Sequence, residues 1–254
     1  MLASFETEGF AILFRRSGYD EFILTEVFVQ DCYKAFKKYI SPKTIIDIGA
    51  HIGSFTLRAY RDFPEARIWS WEILSENFDL LQLNTAQNRA TDRVKIFELG
   101  AGGVAGLRFI SKHSMNTGAA MLNDLYQAEE LKDMRIFSAA TLDFESILNI
   151  TGEKEIDLVK IDAERGELEI LEQGNPDVIK RVKVYIMEVH DKLAPQYVKD
   201  RTFRMYEHLK QVGFTEKKVE PYDNIKLFVR NDIDIIRCEE SKGTSTQEGE
   251  SVHS

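Results

Sequence analysis

The stretch TIIDIGAHIGSF, residues 44–55, decides the fold prediction because it joins a short apolar run to a turn with two glycines. β-Branched runs of this length are typical of parallel strands that are buried on both faces of a sheet. Four more apolar runs follow and alternate with helical patterns. They are RIWSWE (67–72), RVKIFEL (93–99), IDLVKID (156–162) and VKVYIMEV (182–189). This alternation predicts an α/β fold with a doubly wound, mostly parallel sheet.

The end of this body predicts an antiparallel hairpin. Only EPYDN separates the apolar runs Phe214–Val219 and Ile225–Val229, and five residues are too few for a helical crossover. These two strands bring the predicted sheet to seven. The helix before them, YVKDRTFRMYEHLKQVG, has apolar residues at helical spacing and ends at Gly213. In the helix SENFDLLQLNTAQN, Ser75 is the expected N-cap.

We predict three regions along the chain. Residues 1–40 form a short β pair followed by one helix, EVFVQDCYKAFKKYI (26–40), packed on the core or capping it. Residues 41–232 form the main domain. Residues 239–254 contain one sizeable apolar residue, so they cannot bury enough surface to offset the ordering entropy, and we expect a disordered tail.

An insertion interrupts the main domain at residues 100–140. Its pattern predicts a hairpin (VAGLRFIS, 104–111), a polar loop (KHSMNTGAA, 112–120) and a helix (LNDLYQAEELK, 122–132). Because loops over strand ends carry specificity, we expect this loop and the first 25 residues to cover the substrate.

Composition excludes several classes of protein. The 254 residues are 43% hydrophobic, and 33 basic against 42 acidic side chains give a formal charge of −9. A nonspecific nucleic-acid binder would carry a basic surplus. Cys32 and Cys238 form no CxxC pair, which argues against a disulfide framework or a structural zinc site. No secretory signal and no apolar run of roughly 18 residues is found, so we expect a cytoplasmic protein without a membrane span. The sequence predicts no oligomeric state.

The predicted strands end in carboxylates, at Asp47, Glu72, Asp162 and Glu188. Ligands of open α/β sheets bind at this edge, and four acids there would repel a polyphosphate. The turn DIGAHIGSF also lacks the GxGxxG spacing and any GKS or GKT. Glu72 is placed to accept hydrogen bonds from ribose hydroxyls. A phosphate-free nucleoside with a positive centre, S-adenosylmethionine, fits these acids, with its ammonium and sulfonium groups near Asp47 and Asp162.

Five segments together resemble the FkbM family of S-adenosylmethionine-dependent class I methyltransferases. IIDIGAHIGSFTL resembles the family's DxGAxxG motif, and WSWEILSENFDLLQLNTAQN resembles its acid followed by LxxNxxxN. ATLDFESIL resembles its TLD segment, VKIDAERGELEIL its KIDVEGAE signature, and VYIMEVH the next strand. The resemblance runs from about Glu26 to Val229. It implies a Rossmann-like fold and cofactor-binding residues at Asp47, Gly49, Ala50, His51, Gly53, Glu72, Ile73, Gly100, Ala101 and Asp162, with Asp162 near the transferred methyl group.

The chain departs from this family pattern mainly in the signature turn. Ala163, Arg165 and Gly166 stand where the family has valine, glycine and alanine, and Ile73 replaces its proline. If the family's glycine needs a positive φ, a shift of the turn to Gly166 would supply it. We expect Arg165 to be solvated or to pair with an acidic group of the substrate. Lys160 and Glu169 are likewise expected to be solvated.

The candidates for a catalytic base beside a hydroxyl nucleophile are Asp162, Glu164, Glu188 and His190. Asp162 could instead cap the following helix, Glu164 could complement that helix's dipole, and His190 could be structural. A further alternative is a divalent-cation site formed by Asp162, Glu188, His190 and Asp191, although this spacing is not diagnostic and we expect no metal.

The resemblance implies O-methylation of a hydroxyl on a sugar, glycan, lipid or secondary metabolite, so the expected partner is a small-molecule or glycan acceptor. An RNA or protein methyltransferase is the alternative within enzymes. The acidic charge weighs against RNA, and no NPPY-like loop follows the fourth strand. A non-catalytic cofactor-binding module of the same fold is the third possibility.

Overall fold

The chain is described here by a computed structural model for residues 1–7, 9–16, 18–112, 120–122, 125–132 and 134–234. Its strands are β1 (Leu2–Thr7), β2 (Phe10–Arg15), β3 (Thr44–Ile48), β4 (Arg67–Trp71), β5 (Val94–Phe97), β6 (Gly100–Gly102), β7 (Gly106–Lys112), β8 (Ala120–Leu122), β9 (Arg135–Asp143), β10 (Ile156–Ile161), β11 (Val182–Glu188), β12 (Phe214–Lys217) and β13 (Ile225–Arg230). Its α-helices are α1 (Asp20–Leu24), α2 (Ser54–Asp62), α3 (Ser75–Gln87), α4 (Phe144–Ile150), α5 (Gly166–Leu171), α6 (Pro176–Ile179) and α7 (Gln196–Val212). None of these helices is long and apolar enough to cross a lipid bilayer.

A seven-stranded sheet with the order β12-β13-β11-β10-β3-β4-β5 lies at the centre of the fold. Strands β5, β4, β3, β10 and β11 run parallel to one another, and β13 is antiparallel to both β11 and β12. The predicted doubly wound sheet with an antiparallel hairpin at its C-terminal end is therefore confirmed. The carboxyl ends of β3, β4, β10 and β11 meet at one edge, where Asp47, Glu72, Asp162 and Glu188 lie close together.

Apolar side chains cover both faces of this sheet. Trp69 and Trp71 of β4 are buried in one of the two large core clusters, and Trp71 stacks on Phe97 of β5 with ring centroids 4.7 Å apart. The other cluster includes residues of β2, α2 and α3. Helix α7 ends at Gly213, whose φ of 109° is the left-handed conformation expected of a C-terminal glycine. Ser75 is the first residue of α3 and Leu74 holds the N-cap position, so the predicted cap at Ser75 is wrong.

The N-terminal segment forms the predicted β pair, β1 with β2, but the predicted single helix over residues 26–40 is wrong. Helix α1 passes into a π-helix (Thr25–Val29), and a separate 3-10 helix follows (Lys34–Lys38). Asp31 separates them with a φ of 51°. Its carboxylate lies 3.2 Å from Lys37 Nζ and 2.9 Å from Arg58 Nη2, and these ion pairs hold the break in place.

The insertion forms a second sheet of four strands in the order β6-β9-β7-β8. The run predicted as a hairpin over 104–111 contributes one strand, β7, which pairs with β8 and β9. The predicted helix over 122–132 is also wrong, because Leu122 ends β8 and the described residues 125–132 form turns. Leu122 and Leu125 pack into a cluster with Leu74 and Ile110 instead of lining one side of a helix. Most of the polar loop predicted at 112–120 and all of the predicted tail at 239–254 lie outside the described residues.

Candidate active site

Two neighbouring cavities open at the carboxyl edge of the central sheet. The inner cavity, about 40 Å³, is lined by predicted cofactor residues, namely Gly49, Glu72, Ile73, Gly100, Ala101 and Asp162, together with Leu122 of β8 and Glu164. The outer cavity, about 180 Å³, is lined by residues of α1 and the π-helix and by Asp162, Glu164, Glu188 and His190. Asp162 and Glu164 line both cavities, so the two spaces meet at these carboxylates.

The glycine turn after β3 brings the ends of β3 and β10 into contact. Gly49 has a φ of 74°, and a Cβ atom there would lie 1.8 Å from the carbonyl oxygen of Asp162. The N–H groups of Gly49 and Ala50 both donate to the carbonyl oxygen of Trp71, at 3.0 and 2.9 Å, and that of Gly53 donates to Ala50. These amides are engaged within the protein, unlike those of a phosphate-binding loop. The turn therefore suits a ligand without phosphates.

Glu72 is buried and accepts hydrogen bonds on both oxygens. Oε2 accepts from the N–H of His51 at 2.8 Å, and Oε1 accepts from the N–H of Leu74 at 2.8 Å and from Asn77 Nδ2 at 3.4 Å. Burial raises its pKa. A carboxylate has about four acceptor positions, so Glu72 retains capacity for a hydroxyl donor in the inner cavity.

The N-terminal hairpin supports the turn at His51. The side chain of His51 does not line the inner cavity; its Nε2 lies 3.2 Å from Asp20 Oδ1 and 3.3 Å from Arg15 Nη2. Arg15 also donates to Asn77 Oδ1 at 2.7 Å, and Asn84 of α3 accepts from the N–H of Leu13. Strand β2 thus links the turn after β3 to the start of α3.

Lys160 is buried between two of the strand-end acids, so the prediction that it is solvated is wrong. Its Nζ lies 3.2 Å from Asp47 Oδ1 and 3.6 Å from Asp162 Oδ2, and it donates to the carbonyl oxygen of Gly49 at 2.8 Å. Burial alone would lower the pKa of Lys160, but the carboxylates of Asp47 and Asp162 outweigh it and raise that pKa. Asp47, which is fully buried, also accepts a hydrogen bond from Thr56 Oγ1 at 2.7 Å.

In the outer cavity, Asp162, Glu188 and His190 each place a potential ligand atom within 4.8 Å of the others. These are three of the four residues considered for a cation site, and Asp191 is outside the group. His190 Nε2 lies 3.6 Å from Glu188 Oε1 and 3.8 Å from Glu164 Oε1. Asn224 Nδ2 donates to Glu188 Oε1 at 2.9 Å.

Crowded carboxylates perturb the acid–base properties of this group. Burial, reinforced by the charge of Asp162, raises the pKa of Glu188 to about 7. Burial would lower the pKa of His190, but the surrounding carboxylates, Glu164 first, raise it to about 9. At neutral pH His190 is therefore an imidazolium, and Glu188 titrates in the range that suits a general base.

The signature turn after β10 places two successive residues in the left-handed region, Glu164 with a φ of 48° and Arg165 with a φ of 72°. Gly166 is the first residue of α5 and does not take a positive φ, so the predicted shift of the turn to Gly166 is wrong. Arg165 occupies the N-cap position of α5, which rules out Asp162 as its cap. Backbone strain of this kind concentrates at functional sites.

Two charged residues of this signature segment are also less solvated than predicted. Arg165 is only 7% exposed and forms an ion pair of 2.7 Å with Glu130 of the insertion. Glu169 lies 2.6 Å from Arg108 Nη1 and accepts from the N–H of Gly103 at 2.9 Å. Both side chains therefore bind the insertion to the main domain.

The strand order and the carboxylate edge define a class I methyltransferase fold. A family model described as the methyltransferase FkbM domain matches residues 47–216. The chain belongs to this family and is a methyltransferase, which implies a methyl donor.

Two relatives of known name are methyltransferases, and a third is named a synthetase. The chain is 29% identical to methyltransferase sdnD of Sordaria araneosa over 192 residues, covering 66% of this chain and 74% of that protein. It is 25% identical to the 31-O-demethyl-FK506 methyltransferase FkbM of Streptomyces tacrolimicus over 207 residues, covering 72% and 79%. It is also 25% identical over 206 residues to the AMB antimetabolite synthetase AmbE of Pseudomonas aeruginosa, of which it covers 10%.

Among solved structures, the methyltransferase FkbM from Methylobacillus flagellatus is similar to this chain with a TM-score of 0.48 and 14% sequence identity. The likeness covers 74% of this chain and 44% of that one.

Proposed function

We propose that this protein transfers the methyl group of S-adenosylmethionine to a hydroxyl group of a small molecule. The observation that carries this proposal is the position of Asp162 and Glu164, which line both the inner and the outer cavity. A donor in the inner cavity and an acceptor in the outer one would meet at these two carboxylates. When bound, S-adenosylmethionine supplies a methyl group on a sulfonium, which is a good leaving group.

The residues of the inner cavity suit this donor better than a nucleotide. The N–H groups of the glycine turn are engaged within the protein, and the nearby side chains are acids. We assign Glu72 to the ribose hydroxyls and Asp162 to the sulfonium. Asp47 is fully buried and bonded to Thr56 and Lys160, so we assign it to support of the turn rather than to direct contact with the donor's ammonium group.

The outer cavity indicates an acceptor with an apolar body and no anionic group. Tyr19 and Phe22 are 53% and 58% exposed at its rim, while Glu26, Asp162 and Glu188 line its acidic side. The carboxylates would repel a phosphate or carboxylate, and the aromatic rim offers apolar surface to a bound molecule. The name of the Streptomyces relative, a 31-O-demethyl-FK506 methyltransferase, supports methylation of an oxygen on a small molecule.

Methyl transfer to a hydroxyl releases a proton, and we assign Glu188 to accept it. Its pKa of about 7 lets it be ionised at neutral pH and still take up a proton. His190, with a pKa of about 9, already carries its proton, so we assign it to hold the neighbouring carboxylates in place as a cation. The main contribution of the protein is then the positioning of donor and acceptor on either side of Asp162.

The test is to incubate the protein with methyl-labelled S-adenosylmethionine and a fractionated cell extract, and to identify the labelled product by mass spectrometry and NMR. We expect label on an oxygen atom in the small-molecule fraction, and at least tenfold less of it with Asp162→Asn. Label confined to the RNA or protein fraction, or on nitrogen, would contradict the proposal. So would equal turnover by Asp162→Asn.

A further inference from the structure

Two residues of the signature segment, Arg165 and Glu169, bind the insertion to the main domain. We call the described residues between Gly100 and Asp143 the insert. At its base, Glu169 of α5 holds Gly103 and Arg108. At its far end, Arg165 of the signature turn holds Glu130. The base contact fixes where the insert leaves the central sheet, whereas the Arg165 contact fixes the part next to the two cavities.

Arg165 contacts both the insert and α7, and its partners in these two elements also contact each other. Its Nη2 donates to Glu130 Oε1 at 2.7 Å, and its Nη1 donates to the hydroxyl of Tyr197 at 3.3 Å. That hydroxyl in turn donates to Glu130 Oε2 at 2.6 Å. The guanidinium carbon lies 3.9 Å from the centre of the Tyr126 ring. A planar guanidinium can stack and hydrogen-bond at once in this way, whereas a lysine ammonium cannot.

Tyr126 connects these contacts to both cavities. Its hydroxyl donates to the backbone carbonyl of Glu164 at 3.0 Å. Its ring packs against the cluster that contains Leu122, and Ile73 packs against the same cluster. Leu122 and Ile73 both line the inner cavity. A continuous path of contacts therefore runs from Arg165 through Tyr126 to the walls of the inner cavity.

The insert forms part of the wall of the inner cavity, because Leu122 of β8 lines it. At about 40 Å³ this cavity is smaller than the outer one, at about 180 Å³. A donor bound there would contact Leu122. The contacts that keep the insert in place would then oppose the release of the donor.

Arg165 also holds an unfavourable backbone conformation. Its φ of 72° is accessible to glycine at little cost but crowds the Cβ of an arginine. Such a residue persists only where surrounding contacts over-determine it, and the stack on Tyr126 and the bonds to Glu130 and Tyr197 do so here. A glycine would fit the backbone better but would lose every one of these contacts.

We propose that Arg165 is a positioning residue that holds the insert over the inner cavity and thereby slows the release of the methyl donor and its product. The inference rests on the proposed function, because the inner cavity is there assigned to S-adenosylmethionine. It predicts faster release of the bound ligand whenever the Arg165 contacts are weakened, and no change in release from a substitution of the same kind outside the insert and the two cavities.

The experiment compares Arg165→Gly with the wild type in two measurements, the dissociation rate of S-adenosylhomocysteine by stopped-flow displacement and the thermal unfolding midpoint. We expect release about tenfold faster, from the loss of a charge-assisted hydrogen bond and a stack. We expect the unfolding midpoint of the ligand-free protein to fall, because relief of the strained φ offsets only part of the stability lost with these buried contacts. Glu130→Gln and Arg165→Lys, which keep part of the contacts, should give intermediate rates.

Arg89→Gly is the matched control, because Arg89 is exposed and has a φ of 56° but lies outside the insert and both cavities. It should raise the unfolding midpoint and leave the release rate unchanged. Wild-type release rates in Arg165→Gly, or equal acceleration in Arg89→Gly, would overturn the inference alone. Failure of the wild type to bind S-adenosylhomocysteine would overturn the proposed function, and the inference with it.

Discussion

The acids on the inner side of the site and those of the outer cavity differ in the hydrogen-bond donors and cations that surround them. Glu72 accepts three hydrogen bonds, two of them from backbone N–H groups. Asp47, beneath the same turn, is bonded to Thr56 and lies beside Lys160. Glu188 in the outer cavity accepts from Asn224, and its other close partner is His190 at 3.6 Å. The inner acids are fixed by donors, whereas the outer acids mainly face one another.

Under the proposed function, this difference separates the residues that bind the donor from those that take up the proton. Hydrogen-bond donors of the protein hold the inner carboxylates in a fixed orientation. In Glu72 the same donors oppose the rise in pKa that burial causes. In the outer cavity the charge of Asp162 adds to burial and raises the pKa of Glu188 to about 7. Substitutions on the inner side should therefore alter stability and donor affinity, and those on the outer side should alter turnover and its pH dependence.

The largest effect is expected for Lys160→Met. This change removes the buried cation between Asp47 and Asp162 and leaves their carboxylates without compensation. Breaking a buried ion pair in this way costs about 3–5 kcal/mol in the free energy of unfolding, which urea denaturation measures. The control is Lys210→Met, which removes an exposed pair with Glu207 and should leave the denaturation midpoint near that of the wild type. Equal midpoints for the two variants would contradict the role of Lys160.

The second largest effect is expected for Glu188→Gln. The amide cannot accept the proton of the acceptor hydroxyl, so turnover should fall about 100-fold. The affinity for S-adenosylhomocysteine, measured by calorimetry, should stay within about twofold of the wild type because Glu188 lines only the outer of the two cavities. An equal loss of affinity and of turnover would contradict the assignment of Glu188 to proton transfer alone.

Glu72→Ala is the corresponding change on the inner side. Loss of the acceptor that we propose for the ribose hydroxyls should weaken binding of S-adenosylhomocysteine at least tenfold, about 1.4 kcal/mol. Glu65→Ala, an exposed acid paired with Lys43, serves as the control and should bind like the wild type. Unchanged affinity in Glu72→Ala would show that the donor is bound elsewhere.

The smallest effect is expected in the pH dependence of stability. The pKa of His190 is raised from 6.5 to about 9, so its contribution to stability is fully present below pH 6.5 and is lost as the pH rises through 9. The wild-type unfolding temperature should fall by a few degrees between these values, and the fall should be smaller in His190→Gln. An identical pH dependence of stability in both proteins would contradict this assignment of His190.

The pH dependence of turnover should report on Glu188 instead. The rate should rise through about pH 7 as Glu188 ionises.

The central sheet could be predicted from sequence because each buried strand is a local apolar run. Since β10 and β11 are neighbouring parallel strands, the positions of Asp162 and Glu188 at their ends also predicted that these acids lie close together. The burial of Lys160 was not predicted, because it depends on the register that pairs Lys160 with Asp47 across β3 and β10. That alignment depends on residues more than 100 positions apart, although the opposite charges on two strands were a usable signal.

Arg165 and the insert were harder to predict for a similar reason. The partner of Arg165 is Glu130, 35 positions earlier in the chain, in a segment whose local pattern suggested a helix. The break near Asp31 likewise depends on Arg58, which no local pattern connects to it. Local periodicity predicted the elements of the sheet well, whereas long-range ion pairs determine the turns and the insert.

The most direct test of the account is calorimetric titration of the wild-type protein with S-adenosylhomocysteine and, separately, with NAD⁺. The acids at the strand ends and the engaged amides of the glycine turn predict micromolar binding of S-adenosylhomocysteine and no binding of NAD⁺, whose pyrophosphate they would repel. No heat with S-adenosylhomocysteine at millimolar concentration, or equal binding of NAD⁺, would contradict it.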